Sequence, residues 1–153
     1  MAISVCEVSI TQSPLDLPVQ EKEATAGAIV DFWGVVRALE DGREITGIEY
    51  EANCPMAEHQ MRALAEIATD KFALTKAVIH HRIGFVPAGE ASIVVRVKSV
   101  RRSAAFGANQ WIMDELKRTV PIWKHPVFRK RDASGQTSAG KQEGSLESSS
   151  QRA

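Results

Sequence analysis

Two lysines, Lys117 and Lys124, stand on either side of Pro121 in the segment DELKRTVPIWKHP, residues 114–126. The apolar residues VPIW between them favour partial desolvation of the two amines, and a desolvated lysine amine can act as a nucleophile or as a proton acceptor. A plain surface role stays open, because Asp114 can pair with Lys117 at i,i+3 or with Arg118 at i,i+4 on a helix. The segment therefore carries either two reactive amines or two solubilising charges.

Three arginines stand at the ends of predicted elements. Arg37 follows an apolar strand, and Arg101 and Arg102 directly precede a helix predicted to begin at Ser103. A helix N-terminus presents unpaired N–H groups, and arginine adds forked donors that suit a phosphate or a carboxylate. The arginine pair therefore indicates an anion site, although any single arginine is most often a solvated surface charge.

The histidines do not predict a metal site. His59 and His125 lack the spacing of converging ligands. His80 and His81 alternate across a predicted strand, so one is expected to face the core and the other not. We expect neither a metal ion nor a cofactor.

The composition is that of a soluble globular protein and gives no reason to expect binding driven by net charge. The chain has 153 residues, of which 44% are hydrophobic, and its 19 basic residues balance its 19 acidic residues. Nucleic acid and membrane partners are therefore not expected.

Cys6 and Cys54 fit no CxxC spacing and are expected to be buried, reduced thiols. The N-terminus has no basic segment of a signal peptide, and no apolar run approaches the ~20 residues of a membrane span, so we expect a cytoplasmic protein.

Hydrophobic periodicity predicts strands interspersed with two main helices. The strands are predicted at residues 3–10, 27–36, 45–51, 77–84 and 91–100. The strand at 27–36 is expected to be central in its sheet and to form a hairpin with 45–51 around Asp41 and Gly42. The helices are predicted at 56–72 and 103–119, the second capped by Ser103 and stopped by Pro121.

This order of elements predicts an α+β fold, with two helices packed on a mostly antiparallel sheet. Residues 1–131 are expected to form one domain. Residues 132–153 are rich in serine and glycine and are expected to be a disordered tail. The residues alone thus predict an α+β domain that binds an anion and carries candidate reactive lysines.

Five motifs occur in an order that resembles the large, catalytic subunit of molybdopterin synthase, the MoaE family. They are GAIVDFWGVVR (27–37), IEYEANCPMAE (48–58), HHRIGFVPAGE (80–90), SVRRSAAF (99–106) and LKRTVPIWK (116–124). Each motif alone is weak evidence for the family, but their combination and order over residues 27–124 are specific to it. The chain is identified on these motifs as a member of the family, with the α/β-hammerhead type of fold.

The resemblance implies a sulfurtransferase that converts cyclic pyranopterin monophosphate into the dithiolene of molybdopterin. The sulfur would come from a small ubiquitin-like partner with a thiocarboxylated Gly-Gly C-terminus, and the assembly would be a homodimer within a heterotetramer. Lys117 and Lys124 take the catalytic positions, Lys117 meeting the partner's C-terminus. The substrate-binding positions that it implies are Val35, Val36, Arg37, Arg101, Arg102, Lys117, Lys124, His125 and Pro126.

Three departures from the family pattern leave a second function open. Arg101 replaces a histidine, and arginine cannot exchange protons near neutral pH. Pro126 replaces an acidic residue, and the segment RKRDASGQ (129–136) lacks a tryptophan expected there. The alternative is a non-catalytic relative that binds a pterin, a nucleotide phosphate or the small subunit. A third class, a nucleic-acid-binding domain using Arg101, Arg102 and FRKR (128–131), is disfavoured by the net charge of zero.

Overall fold

The structure is a computed structural model that describes residues 5–19, 24–131, 137–138 and 151–152. It contains two long helices, α1 (Cys54–Phe72) and α2 (Arg102–Thr119). Seven longer strands accompany them: β1 (Cys6–Thr11), β2 (Ala28–Val35), β4 (Arg43–Ala52), β5 (Lys76–Arg82), β6 (Gly84–Pro87), β7 (Ala91–Ser99) and β8 (Ile122–Phe128). Four two-residue strands complete the set: β3 (Leu39–Glu40), β9 (Lys130–Arg131), β10 (Thr137–Ser138) and β11 (Gln151–Arg152).

The first sheet has the strand order β1-β5-β7-β2 and carries both helices. β1 and β5 are parallel, whereas the other two pairs are antiparallel. Helix α1 packs on β1 and β5, and α2 packs on β2 and β7. Small alanines on the helices allow this close approach, and Met61, Ile79, Val95, Val97 and Ile112 fill the fully buried interior.

The second sheet has the order β11-β8-β4-β3, with β6 also paired to β4. β4 and β8 form a long antiparallel ladder in which Tyr50 lies opposite Lys124 and Ile48 lies opposite Pro126. Because strand side chains alternate between faces, Tyr50, Lys124 and Pro126 share one face of this sheet. The chain passes from the first sheet to the second directly after α2.

Helix α2 is held against the first sheet by a buried polar side chain. Asn109 is 5% exposed, and its Nδ2 donates to the carbonyl oxygens of Val30 on β2 and Val95 on β7, at 3.1 and 3.0 Å. Both bonds satisfy the amide in an apolar interior, where an unpaired donor costs about 1–3 kcal/mol. This attachment fixes the middle of α2 against the first sheet.

The predicted α+β class, with two helices and mostly antiparallel pairing, is confirmed. The prediction that 27–36 is a central strand is wrong, because β2 has β7 as its single neighbour among the described strands. Its apolar side chains include Phe32, Trp33 and Val35, which are 41%, 38% and 52% exposed, so hydrophobicity here does not reflect burial between two strands.

Two local predictions are also corrected. The hairpin joins β3 to β4, not 27–36 to 45–51, and its turn residues Asp41 and Gly42 both have positive φ, which suits a two-residue turn. Helix α2 begins at Arg102, with Arg101 as its N-cap, and Ser103 lies within the first turn. In contrast, Asn53 caps α1 by accepting from the Met56 N–H at 3.2 Å.

The predicted tail at 132–153 falls mostly outside the described residues and stays a prediction. Its described parts are β10, paired with β9, and β11, paired with β8 at Trp123 and Lys124. Cys6 and Cys54 are half-buried, so the expectation that they are buried is wrong. Neither α1 nor α2 is long and apolar enough to cross a membrane, and no other helix of that kind occurs in the described ranges.

Candidate active site

A cavity of about 350 Å³ lies where the C-terminal half of α2 meets the ends of both sheets. Its wall combines aromatic and aliphatic groups with cationic and neutral polar groups, which is the usual character of a small-molecule site. The lining residues are Phe32, Trp33, Gly34, Val35, Arg37, Tyr50, His81, Ser92, Ile93, Met113, Leu116, Lys117 and Lys124.

Lys117 reaches the cavity from the last turn of α2. Leu116 is 2% exposed and anchors this turn, whereas the Lys117 side chain is exposed at the mouth of the cavity. The salt bridge expected at this helix end forms instead between Arg118 Nη2 and Glu115 Oε2, at 2.6 Å. Among the described residues no carboxylate lies within salt-bridge distance of Lys117, so the surface salt bridge that the spacing to Asp114 allowed is not formed.

Lys124 reaches the same cavity from β8. Val120 ends α2 in an extended conformation, and Val120, Pro121 and Ile122 are buried, so the connection between helix and strand is firmly packed. Lys124 then lies opposite Tyr50, and its Nζ is 3.9 Å from Oε1 of Glu40 on β3. The two lysines therefore converge through a helix end, a buried turn and a strand.

An aromatic and cationic wall is supplied by β2 and the residues after it. The ladder between β2 and β7 is irregular between Gly34 and Val35. A Cβ at Gly34 would lie 2.6 Å from Cγ2 of Ile93, which is closer than carbon atoms approach, so glycine is needed for this close packing. Arg37 follows and is exposed at the cavity mouth, with no carboxylate partner in the described part of the chain.

The floor of the cavity is made by buried residues of three strands: Tyr50 on β4, His81 on β5 and Ser92 with Ile93 on β7. The ring of His81 contacts the ring of Tyr50 edge to face, with centroids 5.3 Å apart. Burial lowers the pKa of His81 to about 4, and its hydrogen bond to the Arg82 carbonyl offsets only part of that effect. Burial also raises the pKa of Tyr50, with Ser92 acting in the opposite direction and Glu40 adding to the rise.

The structure brings together four of the residues predicted for the site: Val35, Arg37, Lys117 and Lys124 all line the cavity. Val36 is 3% exposed in the core beside it and does not line it. His125 points to the other face of β8, where its Nε2 lies 3.2 Å from Glu51 Oε2. Pro126 shares the face of Lys124 but lies two pairs further along the ladder, opposite Ile48.

Arg101 and Arg102 are not near the cavity of their own chain. They are exposed at the N-terminal end of α2, whereas Lys117 is in its last turn. Lys117 lies fifteen positions after Arg102 on α2, which corresponds to about 22 Å at 1.5 Å per residue. One copy of the chain therefore presents two separate cationic regions.

Sequence reasoning missed the floor of the cavity and the carboxylate beside Lys124. Tyr50 and His81 stand in motifs that pointed to the family, but nothing in their spacing indicates that β4 and β5 place them side by side. Glu40 could not be assigned because its partner, Lys124, is distant in sequence. No group of three or more potential metal ligands occurs within the described ranges.

The family model for MoaE protein matches residues 10–119. The molybdopterin synthase catalytic subunit of Thermoplasma volcanium is 42% identical over 83% of this chain and 95% of the relative. The protein of the same name from Pyrococcus abyssi is 38% identical over 79% of this chain and 85% of the relative. The chain therefore belongs to the MoaE family.

Solved structures agree with the fold. The crystal structure of molybdopterin synthase from Staphylococcus aureus superposes with a TM-score of 0.71 at 27% identity, covering 86% of this chain and 96% of that chain. A complex of subunits 1 and 2 of molybdopterin-converting factor from Helicobacter pylori gives a TM-score of 0.62, covering 82% of this chain and 86% of that chain. At 19% identity the second similarity shows the fold alone.

Proposed function

We propose that this chain is the catalytic subunit of a molybdopterin synthase in molybdenum cofactor biosynthesis. It would act as a sulfurtransferase on cyclic pyranopterin monophosphate, taking sulfur from the thiocarboxylated Gly-Gly C-terminus of a small ubiquitin-like subunit. The observation that carries the proposal is the convergence of Lys117 and Lys124 in one cavity beside Arg37. Membership of the MoaE family, and the name of the relatives as catalytic subunits, supports it.

The two lysines suit different parts of this reaction. Lys117 is exposed at the cavity mouth, where an extended Gly-Gly tail can reach it. Its ammonium form would stabilise the thiocarboxylate anion, and its amine form would act as a base or as a nucleophile at the acyl carbon. Lys124 is more enclosed, paired with Glu40, and would hold the pterin in place.

A second copy of the chain would complete the substrate site. Arg101 and Arg102 lie about 22 Å from Lys117 along α2, too far for one small substrate to touch all three in a single copy. In a two-fold dimer, each copy can offer the arginines of its α2 N-terminus to the cavity of the other. The helix dipole and the arginine forks would then bind the substrate phosphate.

A non-catalytic relative is the second candidate, and two substitutions favour it. Arg101 stands where the family has a histidine that can exchange protons, and Pro126 stands where it has an acid. Such a protein would bind the pterin or the small subunit without forming the dithiolene.

Single-turnover conversion of cyclic pyranopterin monophosphate, with preformed thiocarboxylated small subunit, separates the two candidates. Dithiolene formation by the wild type supports the synthase, whereas binding of both partners without product supports the non-catalytic relative. Lys117→Arg keeps the charge but removes the titratable amine, so it should lose nearly all activity while still binding the small subunit. Lys124→Ala should also lose much activity, through misplaced pterin.

Arg118→Lys is the matched control, because Arg118 is the next residue on α2 and does not line the cavity. It should convert substrate at the wild-type rate. If Lys117→Arg stays within about threefold of the wild type, less than the loss expected when a reacting group is removed, Lys117 is a surface charge and the mechanism is wrong.

A further inference from the structure

The cavity has a charged mouth and a neutral floor. Arg37 and Lys117 are exposed at the mouth, whereas His81 is 2% exposed and Ser92 is 7% exposed at the floor. An anionic group is stabilised near the mouth and would lose hydration at the floor without gaining a counter-charge. A ligand with one anionic end and one neutral end is therefore oriented by the cavity.

The protein groups around the cavity are mostly hydrogen-bond donors. The polar atoms of Arg37, Lys117 and Lys124 can only donate when these groups are charged, and the hydroxyl proton of Ser92 is directed to the Gly34 carbonyl oxygen at 3.3 Å. A ligand that carries N–H groups needs an acceptor. Among the described lining side chains, the groups that can accept are the hydroxyl oxygens of Tyr50 and Ser92, which hydrogen-bond to each other, and one ring nitrogen of His81.

The tautomer of His81 is fixed by its own strand. Its Nδ1 lies 2.8 Å from the Arg82 carbonyl oxygen, which can only accept, so Nδ1 carries the proton and Nε2 carries the lone pair. Within the described part of the chain, Nε2 has no hydrogen-bond partner, and the Tyr50 ring packed against the imidazole restricts its orientation. The side chain is thus a buried, preorganised acceptor in the wall of a cavity.

We infer that His81 is a specificity-determining residue whose Nε2 accepts a hydrogen bond from an N–H group of the substrate heterocycle. This inference rests on the proposed function, which supplies a reduced pterin as the heterocycle and a phosphate as the anionic end. A ring N–H group of the pterin donates to His81 at the floor of the cavity, and the phosphate lies at the cationic mouth. Oxygen heterocycles or fully substituted rings of the same size lack the donor and are discriminated against.

Binding of cyclic pyranopterin monophosphate to three variants tests the inference by isothermal titration calorimetry. His81→Phe keeps an aromatic ring against Tyr50 but removes the acceptor, and we expect Kd to rise about tenfold, as for one lost buried hydrogen bond. His81→Gln supplies an acceptor oxygen and should stay within about threefold of the wild type. His80→Phe is the matched control, because His80 lies on the other side of β5 and pairs with Glu7.

Affinity for the small subunit should be unchanged in all three variants, which separates a role in substrate recognition from a loss of structure. Equal affinity of wild type and His81→Phe for the substrate, or equal losses in His81→Phe and His81→Gln, would overturn the inference while leaving the proposed function intact. A wild type that does not bind the pterin would overturn both.

A measurement on the wild type avoids any problem of folding in the variants. In protein labelled with ¹⁵N-histidine, the unprotonated Nε2 resonance of His81 should move upfield when cyclic pyranopterin monophosphate binds, because the nitrogen then accepts a hydrogen bond. Inorganic phosphate alone should not move it. A resonance that stays in place at saturating pterin contradicts the assignment.

Discussion

Lys124 Nζ lies 3.9 Å from Glu40 Oε1, so the amine that β8 brings to the cavity is paired with a carboxylate from the β3–β4 hairpin. Both side chains are largely enclosed, at 24% and 13% exposed, which limits the screening of this pair by water. The Tyr50 ring, opposite Lys124 in the ladder, completes the group. We therefore expect Glu40 to position the amine of Lys124.

Glu40→Gln should lower the rate constant of single-turnover sulfur transfer about fivefold, because it removes the contribution of a partly screened ion pair. Its affinity for the small subunit should change little. Glu44→Gln is the control, because Glu44 lies on the same hairpin and pairs with Arg129 at 4.0 Å outside the cavity. Adding Pro126→Glu to Glu40→Gln should restore activity, since position 126 shares the face of Lys124 on β8. Wild-type rates in Glu40→Gln would show that the pair has no part in catalysis.

Arg102 and Lys117 should complement each other between two copies of the chain. Arg102→Ala and Lys117→Ala are each expected to be inactive alone, since each removes one half of the proposed composite site. When they are mixed after unfolding and refolding together, half of the dimers are mixed and one of the two sites in each is intact, so about one quarter of wild-type activity should return. Activity no higher than that of the separate variants would contradict the shared site.

His81 should make the protein less stable in acid. Its pKa is about 4 when folded, against about 6.5 when unfolded, so between these values the unfolded chain binds more protons. The free energy of unfolding therefore falls as pH drops through this window, by up to roughly 3 kcal/mol. Urea denaturation at pH 7 and at pH 4.5 measures the effect, and the wild type should lose more stability than His81→Phe, in which the titrating group is absent. Equal losses in the two proteins would show that His81 is not held neutral by burial.

The fold class could be predicted from sequence because the two helices and most strands have strong, local periodicity. The sequence could not show that β2 is an edge strand of its sheet. Phe32, Trp33 and Val35 are as apolar as buried residues, but they face a cavity and solvent. The sequence predicts the wrong hairpin partner for β4 for a similar reason. The turn at Asp41 and Gly42 is a local signal, but which strand pairs with β4 depends on the rest of the sheet.

Only the part of the site that lies in one short segment of the chain can be predicted from the sequence. Lys117 and Lys124 belong to one short segment, so their proximity follows from a helix, a proline and a strand. Tyr50, His81 and Glu40 join them only through long-range strand pairing, which no short motif encodes. The resemblance to the family implies that Arg101 and Arg102 bind the same substrate, and the length of α2 shows that a single chain cannot bring them to Lys117.

The ladder between β4 and β8 also has a consequence for how the protein folds. Tyr50 and Lys124 face each other across a separation of 74 positions in the chain, and β1 pairs in parallel with β5 from a similarly distant segment. Such contacts require closure of long loops and form slowly compared with helices, which need only near neighbours. During refolding, helical circular dichroism should return before the cavity exists, so newly synthesised chains pass through a stage that has its helices but not the cavity.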